Sequence, residues 1–295
     1  MIKYGDYVLL TDSTCDLSAE IAEEYGFDAM PMVFLMNDKV YHHYLDSREM
    51  SLNDFYTELK KGVLSQTTQI GYQDYFDYFE PYLKDGKDIL YICFTSGLSG
   101  TYNTCKIAIR ELKQKYPDRT ISIVDSLCAS IGQGLLVYLA AKKFKEEHPA
   151  LEELERFVED TKLEVCHWFV VDDIDQLKRG GRISSLTASF AKALQIKPVL
   201  SVDNEGKLVN VGKIRGANNV YDMFLRKIDR DGVDLGNQTV FVAHANNPDG
   251  AQQLMKKIKP MVNDVKIAEI GPVIGTHVGS GMLALTFLGD RKFEM

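Results

Sequence analysis

The sequence lacks several features that would indicate whole classes of protein. No apolar run approaches the ~20 residues that a membrane span needs, so we expect no stable membrane insertion. The five cysteines are scattered and form no CxxC pair, which disfavours a disulfide framework and a zinc motif. A basic excess is also absent, because 42 acidic residues face 34 basic ones. Nucleic-acid binding, which depends on neutralising phosphates, is therefore not expected.

Motifs of common catalytic and nucleotide sites are missing too. The chain has no GxxxxGK[ST] loop, no GxGxxG fingerprint and no HExxH pair. The segment 97–101, GLSGT, lacks the final glycine of a GxSxG nucleophile elbow. We therefore expect neither a metal nor an organic cofactor. The opening MIKYGDYVLLTDST reads as a strand rather than a targeting peptide, and the scattered cysteines favour a cytoplasmic location.

What the sequence contains is a regular alternation of strand-like and helix-like segments. Apolar strands such as DYVLLT (6–11) and DILYICF (88–94) have no polar alternation, which is typical of parallel sheets covered on both faces. We predict an α/β protein of two domains, with a Rossmann-like parallel sheet in residues 1–163 and a second α/β domain in residues 164–295. The second sheet should be mixed, because VLSVDNEGKLVNV (199–211) predicts a hairpin.

Three local predictions accompany this outline. The segment AMPMVFLM (29–36) predicts a second apolar strand, in which Pro31 indicates a sheet edge or the start of the strand. The pair His42 and His43 is expected in a solvated loop. The segment ISSLTASFAKAL (183–194) predicts a helix.

The loop 95–101, TSGLSGT, is the most informative segment for function. It lies between a buried strand and a helix, where ligands of parallel sheets collect. A helix start offers unpaired N–H groups, Gly97 lets the backbone approach a ligand, and the hydroxyls add donors. These features favour binding of a carboxylate or phosphate. The alternative is a plain strand-to-helix turn in which the hydroxyls only cap the helix.

Further polar clusters follow other strands or begin helices. They are TDST (11–14), TTQ (67–69), Asp125 with Ser126, and GTHVGSG (275–281). Each alone is more often a turn or a cap than a site. Their shared position at strand ends favours one common site, in which His277 could donate to an anion.

Together these motifs resemble those of the DegV family. The segments TDSTCDL (11–17), TSGLSGTY (95–102), VVDDIDQLKRGGRIS (170–184), KPVLSVDNEGKL (197–208) and GTHVGSGMLAL (275–285) occur in the family's order, and the likeness spans about residues 6–290. The resemblance implies a non-catalytic protein that holds one long-chain fatty acid, with the tail buried and the carboxylate near the domain interface. It also implies that a separate fatty acid kinase subunit could phosphorylate the bound acid.

The resemblance implies which side chains would hold the carboxylate. By motif they are Ser96 of TSGLSGTY, Thr67 or its neighbour Thr68 of TTQ, and His277 of the glycine-rich turn. Arg215 of GKIRGANN matches a family arginine, but residues 216–219 replace the basic run that normally follows it. This departure weakens the case for kinase docking.

Three functional hypotheses follow. The first is a monomeric carrier of a long-chain, palmitate-like fatty acid. The second is a hydrolase or phosphotransferase acting on an acyl or phosphate ester, with Ser96 or Ser99 beside His277. The third, a DNA-binding regulatory module, is disfavoured by the net charge of −8.

Overall fold

The computed structural model describes residues 6–172, 174–183 and 196–291. Its strands are β1 (Tyr7–Asp12), β2 (Asp28–Met30), β3 (Met32–Met36), β4 (Lys39–His43), β5 (Ser65–Thr67), β6 (Asp88–Cys93), β7 (Ile121–Asp125), β8 (Val165–Val170), β9 (Ile196–Val202), β10 (Leu208–Arg215), β11 (Thr239–His244), β12 (Asp264–Glu269) and β13 (Leu283–Leu288). Its α-helices are α1 (Ala19–Tyr25), α2 (Leu52–Lys60), α3 (Tyr72–Lys84), α4 (Thr101–Lys115), α5 (Ile131–Glu147), α6 (Leu151–Thr161), α7 (Ile174–Arg179), α8 (Ala217–Asp231), α9 (Pro248–Ile258) and α10 (Pro272–Val278).

The first half of the chain forms a four-stranded parallel sheet. Its strand order is β2-β1-β6-β7, and each neighbouring pair is parallel. Every residue of β1 is buried, as are all but the first residue of β6. These pairings confirm the prediction of a parallel sheet. Its strands are continuously apolar because both faces of such a sheet are covered by helices.

The second half forms a six-stranded mixed sheet with the order β10-β9-β8-β13-β11-β12. Strands β11 and β12 are parallel, and the other neighbours are antiparallel. The predicted hairpin is confirmed, since Val202 at the end of β9 pairs with Leu208 at the start of β10. The boundary predicted at residue 163 falls between Thr161, the end of α6, and Val165, the start of β8; the boundary itself stays a prediction.

A third, small sheet corrects two of the local predictions. The order β4-β3-β5 is antiparallel throughout. Residues 29–36 do not form one strand: the chain divides at Pro31, where a strand start or edge was predicted, into β2 of the first sheet and β3 of the small one. Proline has no N–H to continue a ladder. The loop predicted for His42 and His43 is also wrong, since both lie on β4 and His43 is buried.

The helix predicted over residues 183–194 lies outside the described residues from position 184 onward. In the part of the chain that the structure does describe, no helix combines the length and apolar character needed to cross a membrane.

Helix α5 joins the two large sheets. It is buried along most of its length and packs against β8, β11 and β13 as well as against α1 and α6. Side chains of β8 pack on both faces of its sheet. Phe169 faces the core shared with the first sheet, and Trp168 faces α8 and α9. This alternation is the ordinary consequence of strand geometry.

Arg291 ties the two halves together at one point. Its side chain is buried, and its guanidinium donates to the carbonyls of Leu127 at 3.0 Å, Lys162 at 3.3 Å and Val202 at 3.0 Å. A further bond reaches the Asp203 carbonyl. These carbonyls follow β7, α6 and β9, so one planar group with several fixed donors connects three separate chain segments.

We predict that Arg291→Lys destabilises the protein by roughly 2–4 kcal/mol, because a lysine ammonium cannot reach four carbonyls in different directions. Urea unfolding measures the loss. Arg110→Lys on the exposed face of α4 is the control and should change the free energy of unfolding by less than about 0.5 kcal/mol. Equal effects of the two substitutions would contradict a connecting role for Arg291.

Candidate ligand-binding site

A cavity lies between the two large sheets, at the carboxyl ends of the parallel strands. Thr14 borders it beyond β1, Phe94 beyond β6, and Ile131 at the start of α5. It encloses about 880 Å³ outside protein atoms, a volume that includes its open mouth. Most of its wall is apolar: Met32, Phe94, Leu98, Ala129, Ile131, Trp168, Phe169, Leu177, Val202, Leu208, Val273, Ile274, Val278, Met282 and Ala284.

Thr67 and His277 form a hydrogen-bonded pair in the wall of this cavity. Thr67 is the last residue of β5, and His277 lies in the last turn of α10. The Thr67 Oγ1 and His277 Nε2 atoms are 2.9 Å apart. A second bond of 2.7 Å joins the hydroxyls of Ser65 and Thr276. The small sheet and α10 therefore hold this pair from both sides.

The His277 ring is neutral at physiological pH. Burial, with a contribution from the positive charge of Arg182, lowers the pKa of His277 to about 4. Its Nδ1 is buried and has no hydrogen-bonding partner among the described residues. The ring therefore offers a neutral polar edge rather than a fixed positive charge.

Arg182 is a site residue that the sequence analysis did not single out. It follows α7, lines the same cavity and is exposed to solvent. Its guanidinium also donates to the Gly180 carbonyl. In the sequence, Arg182 belongs to the small basic cluster KRGGR (178–182), which lies inside the segment VVDDIDQLKRGGRIS (170–184). Arg182 brings a positive charge close to the Thr67–His277 pair, where an anionic group would be favoured.

The loop 95–101 contributes to the cavity through Leu98 and Ser99. Ser96 does not join them, because it is exposed and its N–H donates to Asp125 Oδ1 at 3.0 Å. The Ser99 hydroxyl lies 2.8 Å from that of Thr101, the first residue of α4. Of the two serines in this loop, Ser99 is thus the one that lines the cavity.

Gly97 has a steric role beside the cavity. A Cβ at this position would lie 2.6 Å from the carbonyl oxygens of Glu205 and Gly206. The tip of the β9–β10 hairpin therefore rests directly on Gly97, and the Thr95 hydroxyl fastens it by donating to the Gly206 carbonyl at 3.0 Å. This contact fixes the loop that carries Ser99.

The remaining predicted residues divide between the cavity and the surface. Thr68 lines the cavity beside Thr67, and its N–H donates to the Val33 carbonyl at 3.3 Å. Arg215 does not line it: it ends the edge strand β10, is exposed, and its carbonyl accepts from the Asn219 side chain. The structure thus brings together Thr67, Thr68 and His277 and leaves Ser96, Gly97 and Arg215 outside the cavity wall.

Asp16 fixes two parts of the cavity wall. Its carboxyl is buried, and it accepts from the Gly271 N–H at 2.9 Å and from the Ser130 hydroxyl at 2.5 Å. Gly271 caps α10 and Ser130 precedes α5. Burial raises the pKa of Asp16 to about 7, although both hydrogen bonds act in the opposite direction and the charge of Asp12 adds to the rise.

No group of three or more His, Cys, Asp or Glu side chains within the described ranges could hold a metal ion. The five cysteines are all buried and free. Burial raises the pKa of each of these thiols, so they are unreactive. Among the described residues, the polar groups that line the cavity are hydroxyls, two imidazoles, the Gln69 amide and one guanidinium on a mainly apolar wall.

Comparison with known proteins decides the family. A family model described as "Uncharacterised protein, DegV family" matches residues 7–290. This chain belongs to the DegV family. The DegV domain-containing protein CPE0026 of Clostridium perfringens is 40% identical over 288 residues, which cover 97% of this chain and 98% of the relative.

Two solved structures illustrate how widely the fold is shared. DegV of Bacillus subtilis, a fatty acid binding protein, is 27% identical with a TM-score of 0.83, and the match covers 96% of this chain and 99% of that one. The Fak B3 protein of the Streptococcus pneumoniae fatty acid kinase, loaded with linoleic acid, is 22% identical with a TM-score of 0.83, covering 97% and 100%. The prediction of a two-domain α/β DegV fold is confirmed.

The steric role of Gly97 in this DegV chain predicts a specific effect of adding a methyl group. Gly97→Ala should cost about 1–3 kcal/mol and loosen the hairpin, because the new Cβ meets backbone atoms. Gly236→Ala is the matched control, since a Cβ there meets nothing within 4 Å. Urea unfolding and amide exchange of residues 199–211 provide the measurements. Similar behaviour of the two variants would refute the steric role.

The raised pKa of Asp16 predicts a pH-dependent contribution to stability. Between the ordinary aspartate pKa near 4 and about 7, the unfolded chain has lost the proton while the folded chain keeps it. The free energy of unfolding contributed by Asp16 is therefore full below about pH 4 and falls as pH rises towards 7.

We expect the stability difference between wild type and Asp16→Asn to decline with rising pH across this window. Asparagine tolerates the left-handed backbone that Asp16 adopts at φ 53°. Urea unfolding from pH 4 to pH 8 measures the difference, and Asp118→Asn on an exposed loop is the control. Parallel profiles for wild type and Asp16→Asn would show that Asp16 does not titrate in this window.

Proposed function

We propose that this protein binds a long-chain fatty acid in the cavity between its two sheets. The tail would occupy the apolar wall, and the carboxylate would lie against Thr67, Ser99 and His277, with Arg182 nearby. The observation that carries the proposal is the hydrogen-bonded Thr67–His277 pair in a cavity whose wall is mainly apolar. The fatty acids bound by the related B. subtilis and S. pneumoniae proteins support the same ligand class.

The energetics of such a ligand suit this cavity. Each buried methylene contributes ~0.8 kcal/mol, so a palmitate tail would contribute on the order of 10 kcal/mol before the costs of ordering it. The carboxylate then needs only enough hydrogen bonds to offset its burial, because an unpaired carboxylate in an apolar site would be costly in free energy. Two hydroxyls, a neutral imidazole edge and a nearby guanidinium meet that need.

The geometry favours a carrier over a hydrolase or phosphotransferase. A serine nucleophile needs a hydrogen-bonded histidine base, and that histidine needs a partner on its other nitrogen. Here His277 Nε2 is bonded to Thr67, and Ser99 is bonded to Thr101. His277 Nδ1 meets no carboxylate within the described chain, and its pKa of about 4 makes it a weak base. We therefore propose a non-catalytic role.

We further propose that a separate kinase subunit acts on the bound acid in the cytoplasm. A second, more polar concavity containing Gln66, Gln176 and Gly180 shares Thr67 and His277 with the main cavity. The proposed carboxylate position is therefore close to the surface, where a partner could reach it. The five free cysteines suit a reducing compartment.

Substitutions in the loop 95–101 and in β5 test the carboxylate site. Thr67→Val and Ser99→Ala should each weaken palmitate binding by about 5–30-fold, the effect of losing one hydrogen bond of ~1–2 kcal/mol to a charged group. Ser96→Ala is the matched control and should bind palmitate within about twofold of wild type. Isothermal titration with delipidated protein measures each affinity.

Loss of binding in Ser96→Ala with unchanged binding in Ser99→Ala would reverse the assignment of the two serines. Failure of the wild-type protein to take up any C14–C18 fatty acid, or to release one on organic extraction, would refute the proposed function.

A further inference from the structure

A third concavity, which we call the outer pocket, lies on the face of the six-stranded sheet that packs against α8 and α9. Its floor contains Val170 at the end of β8 and Leu283 at the start of β13, which pair directly across the two strands. Its polar wall contains Asp172, Lys197, Tyr221 and Asn246. The outer pocket encloses about 800 Å³ outside protein atoms, a volume that includes its open mouth. Among the described residues, none lines both this pocket and the main cavity.

An ion pair lies in the outer pocket. The Lys197 Nζ and Asp172 Oδ1 atoms are 2.5 Å apart, and the two side chains are 29% and 46% exposed. Both charges are therefore within reach of a ligand. An ammonium has three donors and a carboxylate has two acceptor oxygens, so a contact through one oxygen leaves each group able to bind a further partner. An ion pair this exposed contributes little to stability.

Gly281, just before β13, sets the position of the Asp172 carboxylate. A Cβ at residue 281 would lie 2.4 Å from Asp172 Oδ2, and the glycine adopts φ 94°, a conformation that other residues rarely adopt. Asp172 Oδ2 therefore lies against the backbone at this end of the sheet. Strands β8 and β11 both run antiparallel to β13, so their carboxyl ends meet here. In open α/β sheets this is the edge at which ligands bind.

Tyr221 and Asn246 add neutral polar groups to the wall. Tyr221 lies on α8, and Asn246 follows β11. Both residues are half-buried, and no described residue forms a hydrogen bond with either side chain. A phenol hydroxyl and an amide can each donate and accept. The outer pocket therefore presents one positive charge, one negative charge and two neutral polar groups.

We infer that the outer pocket binds a small zwitterion of the kind that a free amino acid presents. The ligand carboxylate would bind Lys197, and the ligand ammonium would bind Asp172. Because the charges then alternate in sign, the ligand is attracted without displacing the protein's own ion pair. A ligand with a single charge would meet one attractive and one repulsive group at similar distances. This inference is independent of the proposed function.

The test titrates the protein, with palmitate present in excess, with each common L-amino acid and follows the amide signals by NMR. We expect at least one amino acid to bind and to shift the signals of Tyr221, Asn246 and Gly281. Analogues of that amino acid lacking either the ammonium or the carboxylate should bind about tenfold or more weakly, because each loses one charge-assisted hydrogen bond.

Substitutions in the ion pair locate the binding site. Lys197→Gln and Asp172→Asn should each weaken the same amino acid by about tenfold or more. Lys207→Gln is the matched control, because Lys207 forms an ion pair with Glu205 at the same distance of 2.5 Å but does not line the outer pocket. This control should change the affinity by less than about twofold. The unfolding behaviour of each variant is checked first.

Each other outcome overturns a defined statement. Failure of every amino acid to bind refutes the inference and leaves Asp172 and Lys197 as a surface ion pair. Full affinity of an analogue that lacks one charge refutes the zwitterion. Equal effects of the three substitutions, or signal shifts confined to the main cavity, refute the location. Failure of palmitate to bind in the same samples contradicts only the proposed function, because the two sites have no lining residue in common among those described.

Discussion

The shape of the cavity depends on the buried carboxyl of Asp16. Asp16 lies in the loop after β1. Its carboxyl accepts hydrogen bonds from the Gly271 N–H, where α10 begins, and from the Ser130 hydroxyl, just before α5. Both helices contribute to the cavity wall, and α10 also carries His277. Moving either helix away would leave polar groups unpaired in the core, which is costly. One carboxyl thus fixes the positions of α5 and of α10, which carries His277, relative to the end of strand β1.

The parts of the fold that sequence predicted are those with local signals. Continuous apolar strands indicated the parallel sheet, and the turn at residues 203–207 indicated the β9–β10 hairpin. The small sheet was missed because β5 is only three residues, Ser65–Thr67, with no apolar alternation, and it pairs with β3 some thirty residues earlier. A strand of three residues is stable only when it pairs with a neighbouring strand, here β3. It nevertheless places Thr67 in the site.

The candidate site shows the same difference between residues with a local sequence signal and residues placed by long-range contacts. Motif reasoning named Thr67 and His277, which line the cavity, and Ser96, which does not. The loop holds two serines, and its local sequence does not show that Ser99 rather than Ser96 borders the cavity. Arg182 appeared in the sequence as one member of a charged cluster, and it approaches His277 only because α7 packs on α10. Contacts between segments that are far apart along the chain cannot be recognised from a local sequence pattern.

The proposed carboxylate site and the apolar wall differ in kind, and that difference bears on how a carrier would discriminate between ligands. In the proposed complex, neutral groups at the Thr67–His277 pair and one solvated guanidinium would satisfy a carboxylate that every fatty acid possesses. Such a site fixes orientation but cannot distinguish one chain from another. Discrimination must come from the wall along the tail, where Phe169, Ala284 and Thr286 of the second sheet lie. Under the proposed function, strands β8 and β13 would therefore set which ligand is bound, and the loops at the proposed carboxylate site would not.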